Sequence, residues 1–175
     1  MKRALVFFLL ASSAFAQNKF TDTAITPACG PDNSKFAVKT GKTQRQALQP
    51  ETGKALVVFI EDDTEFASHP APTTRAGLDG NCIGATHGNS YFSFPVDPGE
   101  HHLCASWQTA VLLGRGHKTA AAHFTAQAGG IYYFRVKNTA IPDEGIARIS
   151  LFPLDSDEGQ LLASKFSMST FHPKK

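Results

Sequence analysis

Closely spaced turn signals are the feature that most limits how this chain can fold. Asp79-Gly80-Asn81, Gly88-Asn89 and Pro98-Gly99 are sequences typical of tight turns between β-strands. They separate short runs of alternating apolar and polar residues at 74–79, 82–86, 90–96 and 101–107. We therefore expect consecutive antiparallel strands, joined by hairpins, in the middle of the chain.

The side chains of these strands can be assigned to two faces if the hairpins are tight and sequential strands pair. Pairing His87 with Ser90, and Asp97 with Glu100, fixes two registers, and both place the same kind of residue on one face. We predict an antiparallel meander in which the strand at 90–96 lies between its neighbours and one apolar face is buried. That face consists of Ile83, Ala85, Phe92, Phe94, Val96, Leu103, Ala105 and Trp107.

Three further runs carry strong strand patterns. The continuous apolar run at 54–60 is typical of a central strand that is buried on both faces. Alternation at 131–137 and 147–153 predicts two more strands, the first with Tyr132, Phe134 and Val136 on one side.

Weaker signals complete the predicted fold. Short strands are expected at 35–39 and 120–125, and Asp155 followed by Glu158 indicates the start of a short helix over 156–165. The predicted fold class is mainly β: an antiparallel β-sandwich of seven or eight short strands with one short C-terminal helix.

The first sixteen residues have the pattern of a signal peptide. Lys2 and Arg3 precede a short apolar run, and Ala14-Phe15-Ala16 supplies small residues two apart, so cleavage is expected before Gln17. The alternative is an uncleaved membrane anchor. We predict an exported protein, periplasmic or secreted, with a polar segment at 17–52 that holds a possible edge strand and a β-sandwich domain at 53–175.

The charge balance excludes some classes of partner. Removal of Lys2 and Arg3 reduces the seventeen basic residues to fifteen, which equals the number of acidic residues. Nucleic acids and anionic membranes require a basic excess on one face, so neither is an expected partner. No transmembrane span is expected in the mature chain, because no later run reaches about 18 apolar residues.

Export also determines how the three cysteines are interpreted. In an oxidising compartment, one disulfide and one free thiol are expected. In the predicted meander Cys82 and Cys104 flank an intervening strand, which places their Cα atoms about 12 Å apart, whereas a bridge needs about 7 Å or less. We therefore predict the pair Cys29–Cys104, a loop of about 75 residues worth about 2–4 kcal/mol, and a free thiol at Cys82.

Candidate chemical sites are few. His102 and Cys104 share a predicted face and His87 lies at a nearby turn, so a metal site or a hydrolytic site using these residues is the alternative interpretation. The interpretation we prefer is a surface histidine beside a disulfide, with no catalytic residue and no cofactor. The run Glu61-Asp62-Asp63 lacks the spacing of a calcium loop and is predicted to be a solvated loop after the strand at 54–60.

One segment after Trp107 combines apolar and cationic residues and is the predicted partner-binding segment. Exposed apolar side chains beside cations usually have a use, although a short turn that packs its leucines on the sandwich edge is the alternative. The residues are Val111, Leu112, Leu113, Arg115, His117 and Lys118.

An ordered set of motifs resembles a known bacterial family. The set comprises the apolar strand at 53–59, Asp79-Gly80 with Ile83-Gly84, Gly88-Asn89-Ser90-Tyr91-Phe92, Pro98-Gly99 with His101, and the segment at 128–136. It is similar to the family called domain of unknown function 2846, over about 53–154. The resemblance implies a small exported or lipid-anchored β-rich domain of the cell envelope without an assigned activity. This chain lacks the cysteine that lipid-anchored members carry at the cleavage site.

Together these observations predict a non-catalytic exported module of the cell envelope, with a structural or binding role toward an envelope protein or a small ligand. The alternative is a secreted metal-binding protein or hydrolase that uses the histidines.

Overall fold

The computed structural model describes residues 29–31, 34–41, 47–66, 70–108 and 118–174. Within these ranges the chain forms ten strands, one 3₁₀ turn at Pro142–Glu144 and one α-helix, α1 (Ser156–Lys165). The strands are β1 (Phe36–Gly41), β2 (Ala55–Asp62), β3 (Thr73–Leu78), β4 (Asn81–His87), β5 (Ser90–Val96), β6 (Gly99–Trp107), β7 (Thr119–Ala126), β8 (Ile131–Ile141), β9 (Ile146–Leu154) and β10 (Ser167–Pro173).

The strands form two sheets, as expected for a mainly β fold. The six-stranded sheet has the order β1-β10-β5-β2-β8-β9, and the four-stranded sheet has the order β4-β3-β6-β7. The prediction of a purely antiparallel fold is wrong, because β2 pairs with β8 and β10 pairs with β5 in parallel. Between β2 and β8 the chain builds the four-stranded sheet and crosses once to the six-stranded sheet for β5, and β8 then runs beside β2 in the same direction.

The predicted meander is also wrong, although most of its inward face is correct. β5 pairs with β2, where Phe92 lies opposite Phe59, while β4 and β6 both pair with β3 in the other sheet. The turns on either side of β5 therefore carry the chain across the sandwich instead of folding it back within one sheet. In either arrangement the same alternate residues of β5 and β6 face inward, so alternation alone could not distinguish the two arrangements.

The exception on that inward face is Ala85. It lies opposite Arg75, which in turn lies opposite Ser106, so these residues share the outer face of the four-stranded sheet. A β-bulge between Ala76 and Gly77 shifts the register of β4. Gly84 instead faces the core, where a Cβ atom would overlap the ring of Phe171.

β2 is the central element, as its apolar run predicts. All eight of its residues are buried. Val57 and Phe59 belong to the core between the sheets, whereas Val58 and Ile60 belong to a second apolar cluster on the outer face of the six-stranded sheet, shared with Ala163 of α1. In the part of the chain that the structure describes, no helix has the length and apolar character needed to cross a membrane.

The helix α1 occupies the residues that the sequence predicts. The Asp155 carboxylate accepts a hydrogen bond from the backbone N–H of Glu158 at 2.8 Å, which caps the first turn. Gly159 lies against Tyr133 of β8 so closely that a Cβ atom at this position would overlap the ring. The glycine therefore sets how near the helix approaches the sheet.

This packing leads to a prediction that opposes helix propensity. Gly159→Ala should lower the free energy of unfolding by about 1–2 kcal/mol, because overpacking costs about 1–3 kcal/mol and exceeds the gain of about 1 kcal/mol from alanine in a helix. Urea titration of the wild-type and variant proteins measures the difference. In a Tyr133→Ala background the same substitution should stabilise the protein. Destabilisation in both backgrounds would show that the ring is not the cause.

Candidate functional site

The cysteines lie where the sequence predicts, for a partly different reason. Cys29 and Cys104 form a buried disulfide with Cα atoms 5.0 Å apart, and Cys82 remains a half-buried thiol. Cys82 and Cys104 both lie opposite Gly77, on the two sides of β3. Two strand spacings of about 4.8 Å keep their Cα atoms about 10 Å apart, too far for a bridge. The intervening strand is therefore β3 and not β5.

The disulfide anchors a segment that other contacts also hold. The thiol of Cys82 donates to the carbonyl oxygen of Cys29 at 3.1 Å, and Arg75 donates to the carbonyl oxygen of Ser34 at 3.1 Å. The side-chain amide of Gln108 accepts from the backbone N–H of Phe36 and donates to its carbonyl oxygen, at 2.6 and 2.7 Å. Residues that precede the predicted domain boundary are thus integrated into the sandwich.

The structure does not bring the proposed metal ligands together. Cys104 is oxidised, so its sulfur is no thiolate ligand. His87 lies opposite Thr73, where β3 begins, while the backbone N–H of His102 donates to Asp79, one residue after β3 ends. Six residues of strand separate these points by about 20 Å. Among the described residues, no group of three or more His, Cys, Asp or Glu side chains could hold a metal ion.

The predicted partner-binding segment lies largely outside the described residues. Val111, Leu112, Leu113, Arg115 and His117 fall in the range 109–117. Lys118 is described: it is exposed, and its carbonyl oxygen accepts from the backbone N–H of Trp107 at 3.1 Å.

The acidic run Glu61-Asp62-Asp63 departs most from expectation. The prediction of a solvated loop is wrong, because Glu61 and Asp62 are the last two residues of β2 and are both buried, and Asp63 is half-buried. Glu61 continues the alternation of Val57 and Phe59, so its side chain enters the core between the sheets. Asp62 points the other way and accepts from the hydroxyl of Thr64 at 2.6 Å.

Glu61 and Asp63 belong to a hydrogen-bond network that joins the two sheets. One nitrogen, Nδ2 of Asn138 on β8, donates to Oε1 of Glu61 at 2.8 Å and to Oδ1 of Asp63 at 2.6 Å. The hydroxyl of Thr74 on β3 donates to the same Oε1 atom at 2.5 Å. Asn138 and Thr74 are fully buried, like Glu61. We call Glu61, Asp63, Asn138, Thr74 and Trp107 the carboxyl network.

Trp107 fixes the orientation of the central amide. Its indole Nε1–H donates to Oδ1 of Asn138 at 2.8 Å. Because an indole can only donate, the oxygen of Asn138 must face Trp107 and the NH₂ group must face the two carboxyl groups. A donor nitrogen therefore occupies the position between the carboxyl groups that a metal ion would need.

The electrostatics of the network favour protonated carboxyl groups. Burial raises the pKa of Glu61 well above its ordinary value, and the charge of Asp63 adds to this, while Thr74, Thr86 and Asn138 act in the opposite direction. Burial also raises the pKa of Asp63 to about 6, opposed by Asn138 and His87. Oε2 of Glu61 and Oδ2 of Asp63 are buried and make no hydrogen bond in the described structure.

The carboxyl network was not predicted, although the sequence contains a signal for it. Extending the inward alternation of β2 by one step reaches Glu61, and extending that of Phe134 and Val136 reaches Asn138. Two polar residues at inward positions of adjacent strands predict a buried pair. Parallel pairing of β2 with β8 sets Glu61 opposite Val136 and so brings Asn138 beside it.

Comparison with protein-family models and with curated proteins gives no match for this chain.

Proposed function

We propose that this chain is a non-catalytic, exported β-sandwich module of the bacterial cell envelope, with a structural role or a role in binding another envelope component, a protein or a small ligand. The observation that carries the exported location is the Cys29–Cys104 disulfide. Persistent disulfides form in oxidising compartments and are rare in the cytosol. The signal-peptide pattern at 1–16 supports the same compartment independently of the disulfide.

The position of the bond supports an extracytoplasmic role. It fastens the segment just after the proposed export signal to the middle of β6, and Cys104 is fully buried. Outside the reducing cytosol such a bond persists, so it can hold this segment to the sandwich permanently. The motif resemblance to the envelope family favours the same assignment.

Export and disulfide formation can be tested together in a bacterial host. The full chain should yield a mature product that begins at Gln17 and carries the Cys29–Cys104 bond, as read by intact mass and non-reducing peptide mapping. Ala16→Asp serves as a matched control, because it removes the small residue required for cleavage and leaves the folded domain unchanged. A product that retains Met1 and has three reduced thiols in the cytosol would overturn the proposal.

The binding role needs a separate test. In-cell cross-linking of the exported chain should give a discrete envelope adduct, whereas the same domain expressed without residues 1–16 should not. An adduct pattern that does not depend on export would argue against a specific envelope partner.

A further inference from the structure

The carboxyl network contains two oxygen atoms without a partner, one from each carboxyl group. Glu61 accepts hydrogen bonds from Asn138 and Thr74 through Oε1, with Thr86 also acting on its carboxyl group, and Asp63 accepts from Asn138 through Oδ1. Oε2 of Glu61 and Oδ2 of Asp63 are buried without a hydrogen bond. Two acidic groups with unsatisfied oxygens thus share one uncharged amide.

We propose that Glu61 and Asp63 form a proton-binding site that locks the two sheets together while it holds a proton and loosens their contact when the proton leaves. A proton on one of the free oxygens removes one charge and converts an acceptor into a donor. The proton therefore lowers the charge of the site without an ion, which the central NH₂ group would repel.

Among the residues that the structure describes, the groups that face the pair include no permanent cation. From the four-stranded sheet these are Thr74 of β3, Thr86 of β4 and Trp107 of β6, all uncharged. From the turn before β5, Asn89 accepts from the backbone N–H of Asp63 at 2.8 Å, and β8 contributes Asn138.

The titratable neighbours are His87 and Asp62. His87 is exposed and acts on Asp63 through its charge. Asp62 adds negative charge. Lys137, which lies opposite Asp62, is paired with Glu65 at 2.7 Å. Protonation of the carboxyl pair is therefore the means by which this part of the core reduces its charge.

Hydrogen bonds of the carboxyl network also connect the two sheets, so loss of the proton has a structural consequence. The bonds from Thr74 to Glu61 and from Trp107 to Asn138 both run from the four-stranded sheet to the six-stranded sheet. Two ionised carboxylates on one amide repel each other in a medium where charge is weakly screened. The repulsion pushes the two carboxylates apart, and Asn138, which bonds to both of them and to Trp107, links that movement to the other sheet.

The direction of the pH effect follows from the ordinary pKa of Asp63 and its pKa in the folded protein. The pKa of Asp63 rises from 3.8 to about 6, so the folded protein binds more protons than the unfolded chain between these values. The contribution of this site to the free energy of unfolding is fully present below about pH 4 and is lost as the pH rises through about 6. The rise in the pKa of Asp63 from 3.8 to about 6 corresponds to a change of about 100-fold in the ratio of unfolded to folded protein.

Trp107 permits a direct test, because it is the chain's one tryptophan. Its fluorescence and the carboxyl ¹³C resonances of Glu61 and Asp63 should be followed from pH 4 to 8 in the wild-type protein. We expect both resonances to titrate together, well above their ordinary range, with a parallel change in Trp107 emission. Resonances that titrate separately in the ordinary range, or Trp107 emission that does not change, would overturn the proposal even if no variant folds.

Isosteric variants then assign the transition. Glu61→Gln and Asp63→Asn should each remove it, since each supplies an NH₂ donor in place of the proton. Asp97→Asn changes an exposed carboxylate that is paired with Lys54 at 2.5 Å and should leave the transition intact. His87→Gln should also retain it. Loss of the transition in His87→Gln, with retention in Glu61→Gln and Asp63→Asn, would assign it to the histidine and refute the proposal.

Discussion

Asn138→Ala should lower the free energy of unfolding by about 3–5 kcal/mol, because the substitution leaves two groups without their partner at about 1–3 kcal/mol each and removes one hydrogen bond from a third. The indole N–H of Trp107 and the Asp63 carboxyl group lose their partner, while Glu61 keeps the hydrogen bond from Thr74. Denaturant titration at neutral pH measures the loss, and the slope of the titration checks that the unfolding transition remains two-state.

A surface asparagine provides the matched control for this substitution. Asn81 is exposed, and its amide makes a single 3.4 Å contact with the carbonyl oxygen of Asp79. Asn81→Ala should therefore change the free energy of unfolding by less than about 0.5 kcal/mol. A loss below about 1 kcal/mol for Asn138→Ala would mean that water replaces the amide at little cost and that the carboxyl network does not hold the sheets together.

The isosteric variant Asn138→Asp separates charge from packing. It keeps the shape of the side chain but replaces the donor between Glu61 and Asp63 with a third carboxyl group. The loss of stability should be larger at pH 8 than at pH 5, since protonation relieves the repulsion. Equal losses at both values would show that shape, and not charge, is what the site requires.

Which residues of this fold face inward could be predicted well, whereas which strands pair could not. Phe92 faces the core whether β5 pairs with β4 or with β2, because alternation depends on the strand itself. Its actual partner, Phe59, comes from a strand earlier in the chain, and nothing in the Gly88-Asn89 turn distinguishes a hairpin from a passage between sheets. Pairing depends on tertiary packing, which turn sequences describe only locally.

The carboxyl network was not predicted for a different reason. Burying a carboxyl group is costly, so an acidic run after an apolar strand is expected to mark the point where the chain reaches solvent. Here the cost is offset by Asn138, which is 77 residues further along the chain than Glu61. Only the parallel register of β2 and β8 places it there, and that register depends on the two-sheet arrangement, which alternation alone could not identify.

Breaking the Cys29–Cys104 bond should cost about 2–4 kcal/mol, because the intact bond closes a long loop and so restricts the unfolded chain. The sequence separation is 75 residues, long enough for this entropic effect to approach the upper end of that range. Cys29→Ala breaks the bond and leaves Cys104 as a small buried thiol, which packs as an apolar group. Arg75 and Gln108 still hold the segment at Ser34 and Phe36. We therefore expect a less stable protein with β1 still in place.

Reductant distinguishes this disulfide from any alternative pairing. The wild-type protein and Cys82→Ser should both lose about 2–4 kcal/mol on reduction, whereas Cys29→Ala should lose nothing further, since its bond is already absent. A response of Cys29→Ala to reductant would reveal a second bond between Cys82 and Cys104. Because those two residues flank Gly77 on opposite sides of β3, such a bond would require the four-stranded sheet to have a different strand order. The same titrations thus test the covalent link and the sheet topology that positions it.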